Sequence, residues 1–377
     1  MPHRSGPALA WPLVIAGFAV WPLRIPLKKP LLLASETIAE AETLLIELRD
    51  EEGRSGWGEA SAAPTMTGEV LAGMAEVARR YLAPALLRGA LPDAGAIAPR
   101  LARAIRGNTG AKAAVEMAVL DLAARRAGLP LSRFLGEPRR NFVPAIAMIG
   151  GADDISVLAA ARAAQAQGFR HIKVKLGLRA DPLEDAALVR ALRAALGPAA
   201  HLSGDANMAW DVAAACAFRA DLPEGTLDYL EQPLPDDDLA GLTVLARQPG
   251  CPICIDEGLH GLRDIPAHRG LAAGFGLKSI KLGGLLPTLA ADALLRENGM
   301  RGTLACKIAE SSVGAAAAVH LAALLPDVEW GLSVTHGMLT EDVTQAGVAL
   351  RDGQAMVPAG PGIGVVPDPE RLARFRG

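Results

Sequence analysis

The stretch "HIKVKLGLRADPLEDAALVRALRAALGPAAHLSGDAN", His171 to Asn207, decides the fold. It opens as a strand, with Ile172, Val174 and Leu176 alternating with His171, Lys173 and Lys175. A loop follows, then "PLEDAALVRALRAALG", whose apolar residues recur at three- and four-residue spacing, and then a second strand, "HLSGDAN". One face of the first strand carries Lys173 and Lys175 side by side. Like charges at that spacing are costly, the more so in an interior strand where water is scarce. The pair therefore needs a chemical reason.

The same unit recurs from about residue 142. The strands read "FVPAIAMIG", "HIKVKLG", "HLSGDAN", "LDYLEQPL", "PICIDEGL", "KSIKLGG", "GTLACKI" and "EWGLSV", with Ala/Leu-rich helical patterns between them, many opening on Asp or Ser caps. Eight strands alternating with helices predict an α/β fold, a (β/α)8 TIM-type barrel over residues 142–342. A doubly wound open sheet would want a Gly-rich phosphate turn, and neither GxGxxG nor a P-loop is present. The first 141 residues differ. Two strand-like stretches, "VIAGFAVWPLRIPL" and "ETLLIELRDEEGRSGWGEA", the second with a turn at "DEEGRSG", precede three helical patterns, which predicts a separate α+β domain. The tail, residues 343–377, is expected to return to that domain.

Composition bounds the partners. The chain has 377 residues, 51% hydrophobic and 21% charged, with a net charge of −3 and a pI near 6.2. No basic run with interleaved aromatics offers a nucleic-acid surface, so the partner is read as a small molecule. Cys216, Cys251, Cys254 and Cys306 are too few for a disulfide framework, and "CPIC" lacks the second half of a zinc site. No apolar run reaches membrane-spanning length. The segment Pro7 to Leu23 lacks a clear cleavage site and is read as a ragged terminus before a strand, which makes the expected location cytoplasmic.

In such barrels the working residues stand at the C-terminal ends of strands. Those ends supply Lys173 and Lys175, then Asp205 and Asn207, Glu231, Asp256 and Glu257, then Lys278 and Lys281. Asp205, Glu231 and Asp256 are separated by 26 and 25 residues, about one βα unit each. Three carboxylates converging at one rim repel unless a cation lies between them. Hard oxygen donors without His or Cys favour Mg²⁺ over zinc, with Mn²⁺ as the alternative. Lysines flank the trio on both sides. Near a dication and another ammonium, a lysine can serve as a base near neutral pH. Two of them can remove an α-proton from one face of a carboxylate substrate and return it to the other, through an enediolate.

Taken in order, "KVK", "DAN", "EQPL", "IDE", "KSIKLGG" and "CKIAESSVGAAAAVHLAA", with "GWGEA" and "KAAVEMAVLDLAARRAGLPLSRFLG" before them, resemble the enolase superfamily and its muconate lactonizing enzyme-like subgroup. The resemblance implies a modified barrel with an N-terminal capping domain, a homo-oligomer, and Mg²⁺ held by Asp205, Glu231 and Asp256. It implies Lys175 and Lys281 as the acid/base pair. Lys173 would tune Lys175 or touch the substrate carboxylate, and Asn207 would serve the metal or the substrate. Lys278 is read as a structural partner of an acid; Lys307, Glu310 and His336 are left without a role. Two loops, "PLKKPLLLAS" (Pro26 to Ser35) and "ASAAPTMTGE" (Ala60 to Glu69), would close over the rim, and their small apolar make-up predicts a compact substrate. The end of strand 8 lacks the Asp-x-Asp element with which dipeptide epimerases of the subgroup bind an ammonium. The first expectation is racemisation, epimerisation or dehydration of a small amino or hydroxy acid, a proline-like one included. Muconate cycloisomerisation comes next and dipeptide epimerisation after it.

Overall fold

A computed structural model describes residues 10–32, 37–151 and 153–377. The chain begins with an antiparallel sheet of β1 (Gly17–Leu32), β2 (Thr37–Arg49) and β3 (Ser55–Ser61), in that spatial order. Three strands stand where the sequence suggested two, because the "DEEGRSG" turn folds the second stretch into a hairpin. Asp50 Oδ1 accepts from the backbone N–H of Glu52 (3.0 Å) and Arg54 (2.9 Å), and Gly53 supplies the left-handed turn residue at φ +78°.

Helices α1 (Leu71–Val77), α2 (Ala83–Leu87), α3 (Ile97–Ala104), α4 (Thr109–Arg126) and α5 (Leu131–Leu135) follow, with a π-helical turn between the first two. Helix α4 is buried along most of its length and lies directly on β3. The approach is so close that a Cβ at Gly58 would sit 1.9 Å from the Ala114 carbonyl oxygen, and one at Gly56 2.4 Å from Leu122 Cβ. Asp121 of α4 fixes the contact by accepting from Trp57 N–H (2.8 Å) and Ile363 N–H (2.7 Å) while pairing with Arg125 (2.9 Å).

After β4 (Phe142–Pro144) comes the barrel. Its strands β5 (Ile146–Ile149), β6 (His171–Lys175), β7 (His201–Asp205), β8 (Tyr229–Glu231), β9 (Ile253–Ile255), β10 (Gly274–Leu277), β11 (Arg301–Ala305) and β12 (Leu332–Ser333) pair in sequence order, all parallel. A parallel bridge from Ala145 to Leu332 closes the ring. The expected (β/α)8 barrel with its N-terminal capping domain is the fold of this chain. Its helices are α6 (Asp154–Ala166), α7 (Pro182–Leu196), α8 (Val212–Asp221), α9 (Leu239–Ala246), α10 (Asp264–Ala267), α11 (Ser279–Leu282), α12 (Leu285–Glu297) and α13 (Ser312–Leu324). Asp153, Asp181, Asp211, Asp238 and Ser311 cap α6, α7, α8, α9 and α13 as the sequence predicted, each accepting from an N–H of the first turn. The modification lies at the end. A single 3₁₀ turn follows β12, and the chain runs on through β13 (Leu350–Arg351), β14 (Gln354–Met356) and α14 (Pro369–Arg374). Strand β14 pairs with β4, and Arg376 bridges back to Leu23 of β1.

The sixth barrel strand, β10, differs from its reading in register. "KSIKLGG" is not the strand. "GFGL" is, Lys278 is the first residue beyond it, and Lys281 lies on the helical turn α11. Of the two loops expected over the rim, residues 33–36 of the first lie outside the described residues, and Pro26 to Leu32 continue β1. Among the described residues no helix is long and apolar enough to cross a membrane. The four cysteines are free thiols, with Cys254 and Cys306 buried.

Candidate active site

Cross-strand register assembles the site. Lys175 stands opposite Asp205, Asp205 opposite Glu231, and Glu231 opposite Cys254, so Asp256 follows two residues along the next strand. The period of two turns all these side chains to the barrel interior at one level. Lys173, Lys175, Asp205, Asn207, Glu231 and Asp256 all line one small cavity of about 50 Å³ at the rim. Met148, Glu257, Lys278, Lys307, Ile308 and Ser333 complete its barrel side, and Thr65 and Met66 of the second loop cover it from the capping domain.

Charges in this cavity are matched in pairs. Lys175 donates to Asp205 Oδ2 (2.7 Å) and Asn207 Oδ1 (2.9 Å). Lys173 donates to Glu231, and Lys278 to Asp256. Asn207 donates in turn to Glu257 Oε1 (3.1 Å). Burial works against the Lys173 ammonium, but Glu231, Tyr229 and Asp205 outweigh it and hold the group well above the ordinary lysine range. Burial likewise tends to raise the Asp256 carboxyl, and Lys278 and Lys281 overcome it, keeping the group far below the usual carboxylate range. Burial, aided by Asp256 and Asp205, pushes Glu257 up to about 7. Burial also raises Glu231, and the facing charges of Asp205 and Asp256 add to the effect despite Lys173.

The two lysines after strand β10 are not equivalent. Lys281 donates to Asp256 O (2.6 Å), Asp256 Oδ1 (2.6 Å) and Gly276 O (2.8 Å), which uses all three ammonium hydrogens. It is not among the residues lining the cavity, whereas Lys278 is. Burial, with Lys278 alongside, lowers Lys281 in spite of Asp256. The structure thus places Lys281 behind Asp256, as a clamp between strands β9 and β10.

Some contributing residues carried no sequence signal. Gln232 Oε1 accepts from Asp256 N–H (2.9 Å) and Gly258 N–H (3.1 Å), fixing the turn that presents Asp256 and Glu257. Its place beside Glu231 in "EQPL" was the available hint. Four of the six non-glycine residues with positive φ among the described residues, Asn207, Met208, Gln232 and Ala309, lie just past barrel strands. Such backbone gathers where a site must be held in one shape. Glu310 sits at the junction with the capping domain, beside Glu59 and bonded to Ser61 N–H (3.4 Å). His336, on the turn after β12, is held by the tail, its Nε2 3.0 Å from Val348 O.

Asp205, Glu231 and Asp256 are fit donors for a hard divalent cation: buried, all oxygen, and mutually repelling, as the raised Glu231 records. As the side chains stand, no group of three or more His, Cys, Asp or Glu among the described residues is arranged to hold a metal ion. Each acid is turned onto a lysine, and those ammonium groups supply the positive charge.

The model for the mandelate racemase / muconate lactonizing enzyme N-terminal domain matches residues 16–136, and that for the enolase C-terminal domain-like family matches residues 156–371. Muconate cycloisomerase 1 of Rhodococcus opacus is 31% identical over 91% of this chain and 93% of its own length. L-Ala-D/L-Glu epimerase of Bacillus subtilis is 30% identical over 91% of this chain and 94% of its own. The crystal structure of the Pseudomonas fluorescens muconate lactonizing enzyme complexed with muconolactone superposes with a TM-score of 0.89 at 30% identity, covering 97% of this chain and 100% of that one.

Proposed function

Because this chain belongs to the mandelate racemase / muconate lactonizing enzyme family, and is an enzyme of the enolase superfamily, we propose that it moves a proton at the carbon next to a carboxylate, with Lys175 and Lys278 as the acid/base groups. The observation that carries this reading is that both lysines line one cavity, on strands that flank the three carboxylate-bearing strands. Lys278 takes the part that the sequence suggested for Lys281, whose hydrogens are all committed to protein acceptors.

Enzymes of this family use a divalent metal ion; here Asp205, Glu231 and Asp256 would hold Mg²⁺, or Mn²⁺ in its place. When bound, it draws charge from the substrate carboxylate and so acidifies the neighbouring C–H. Taking up those three carboxylates would release Lys173, Lys175 and Lys278 from them. Lys175 and Lys278 can then each face the substrate α-carbon. Lys173 is left to neutralise a substrate carboxylate, and Asn207 to orient it. Thr65 and Met66 exclude water from above.

Electrostatics narrow the substrate. With all four lysines protonated, Lys173, Lys175, Lys278 and Lys307 face Asp205, Glu231, Asp256 and Glu257 among the lining residues; because Glu257 is pushed up to about 7, a divalent ion leaves at least two positive charges to be balanced. A small dicarboxylate balances them. An amino acid adds an ammonium, and among the described lining residues the strand β12 side of the cavity offers Ser333 and no acid to receive it. Cycloisomerisation of a muconate-type diacid therefore fits better than the amino-acid chemistry first expected. In that reaction one carboxylate oxygen closes onto the distal alkene carbon, and a lysine delivers a proton to the carbon beside the other carboxylate. Racemisation or dehydration of a small hydroxy acid is the second reading, favoured by the two lysines.

The test is incubation with Mg²⁺ in D₂O of cis,cis-muconate and a panel of hydroxy and amino acids, followed by proton NMR. Conversion of muconate to a lactone carrying one deuterium supports the first reading. Deuterium uptake at the α-carbon of a hydroxy acid alone transfers it to the second. Neither lactone nor exchange with any acid defeats the assignment of the lysines.

A further inference from the structure

We infer that Glu116, in the middle of capping-domain helix α4, is a positioning residue for the segment Lys278–Leu286 and hence for the lysine at the rim of strand β10. Glu116 is almost wholly buried in a helix whose neighbours are Ala, Val, Met and Leu. A buried carboxylate is expensive unless it is hydrogen-bonded. Its partners are not in its own helix. It accepts from the backbone N–H of Leu285 and, at 3.1 Å, of Leu286, the first turn of barrel helix α12.

That turn cannot cap itself. Its N-cap residue is Gly284, its first turn carries no acid, and Pro287 has no N–H to satisfy. Leu285 and Leu286 carry the N–H groups left over, and Glu116 takes both. The fit is close: a Cβ at Gly284 would lie 2.3 Å from Glu116 Oε2, which with φ +150° restricts the position to glycine.

The consequence runs back along the chain. Between Lys278 and α12 there are only the turn α11 and the pair Gly283 and Gly284, both at positive φ. Two glycines make a loose link, and its direction is set by what holds its ends. Lys281 ties one end to Asp256 and Gly276, and Glu116 ties the other to the capping domain. Burial pushes the Glu116 carboxyl up to about 7 against its two N–H donors. The bearing of this on catalysis rests on Lys278 being the strand β10 acid/base. The measurements below read placement rather than turnover, so they succeed or fail apart from that role.

Glu116→Ala and Glu116→Gln are compared with the wild-type chain by amide hydrogen exchange and by competitive acetylation, each read by peptide mass spectrometry. In Glu116→Ala the amides of residues 279–288 should exchange about fivefold faster, while the peptide carrying Lys173 and Lys175 exchanges as before. The labelling ratio of Lys278 to Lys175 should shift by a similar factor, about fivefold. Glu116→Gln keeps the volume and one acceptor, so it should fall between, and it carries the test if the alanine variant fails to fold. Unchanged exchange in 279–288 overturns the inference. So does acceleration spread evenly over the barrel, which would make Glu116 merely structural. Faster exchange with an unchanged labelling ratio overturns it too.

Discussion

Replacing Glu310 by Gln should change how stability depends on pH more than it changes stability itself. Glu310 and Glu59 meet where the capping domain rests on helix α13, both buried. Glu59 accepts from Thr43 Oγ1 (2.8 Å), Ser311 N–H (2.9 Å), Ser311 Oγ (2.6 Å) and Gly314 N–H (2.8 Å), a donor set that favours the ionised form although burial still raises the group above its ordinary value. Glu310 has a weaker set: Ser61 N–H at 3.4 Å, Lys307 N–H and the Cys306 thiol, which do not offset its burial. Burial first, and the Glu59 charge second, push it up to about 8 from an ordinary 4.5. The folded chain therefore keeps a proton that the unfolded chain releases. The stability this gives is complete below 4.5, declines as pH rises, and is gone above about 8. One proton held only by the folded state is worth about 1.4 kcal/mol per pH unit, tapering near the upper limit, so roughly 2 kcal/mol is lost between pH 6 and pH 8. Glutamine mimics the protonated acid and has nothing to titrate. Urea unfolding of both proteins at pH 6, 7 and 8, followed by tryptophan fluorescence, should show wild type losing about 2 kcal/mol relative to Glu310→Gln across that range. A difference constant to within about 0.5 kcal/mol would mean that Glu310 is ionised throughout and that the reasoning is wrong.

Other perturbations read other parts of the molecule. Gly58→Ala places a methyl group against the Ala114 carbonyl oxygen and should cost about 3 kcal/mol, visible as a lower urea midpoint; an unchanged midpoint would show that α4 can shift freely. Lys278→Ala should lower turnover of whichever acid proves to be the substrate by about 10³-fold or more, while Lys281→Ala retains more activity and mainly weakens metal binding; the reverse order would restore Lys281 as the base. Gln232→Leu removes the acceptor that holds Asp256 N–H and Gly258 N–H, and Mg²⁺ affinity by titration calorimetry should fall about tenfold or more; full affinity would show that the turn holds itself.

The barrel was legible because its signals are local. Alternation in "HIKVKLG", three- and four-residue spacing in the helices, and Asp or Ser at their starts each report one element, and each was where the pattern put it. Strand β10 was misread for a physical reason. Its inward positions are Gly274 and Gly276, empty because a Cβ at the first would lie 2.6 Å from the Trp330 ring and one at the second 3.1 Å from Asp256 Oδ1. A strand without inward side chains shows no alternation, and the neighbouring "KSIKLGG" imitates one. That shift exchanges the places of Lys278 and Lys281. The carboxylates and strand β6 lysines, by contrast, are set by register alone, and the structure gathers them. Gln232, Glu59 and Glu116 were silent because their partners lie far away in sequence: Gln232 bonds to the next barrel strand's turn, and Glu59 and Glu116 bond to the other domain.

Strand β1 forms one edge of the capping sheet, and much of that edge is covered by chain made far later. Arg24 N–H bonds to Phe375 O (2.9 Å), Gly377 N–H to Pro22 O (3.0 Å), and Thr340 N–H to Pro26 O (2.9 Å). During synthesis β1, β2 and β3 can pair long before those residues emerge from the ribosome. Throughout that interval the nascent chain carries an unpaired strand edge, blunted in part by Pro22, Pro26, Pro30, Lys28 and Lys29. The interval spans the translation of an entire barrel. A truncation that removes residues 374–377 would leave the rim cavity untouched and keep the Pro22–Arg24 part of the edge open, so its expected phenotype is a lower yield of soluble protein rather than loss of chemistry.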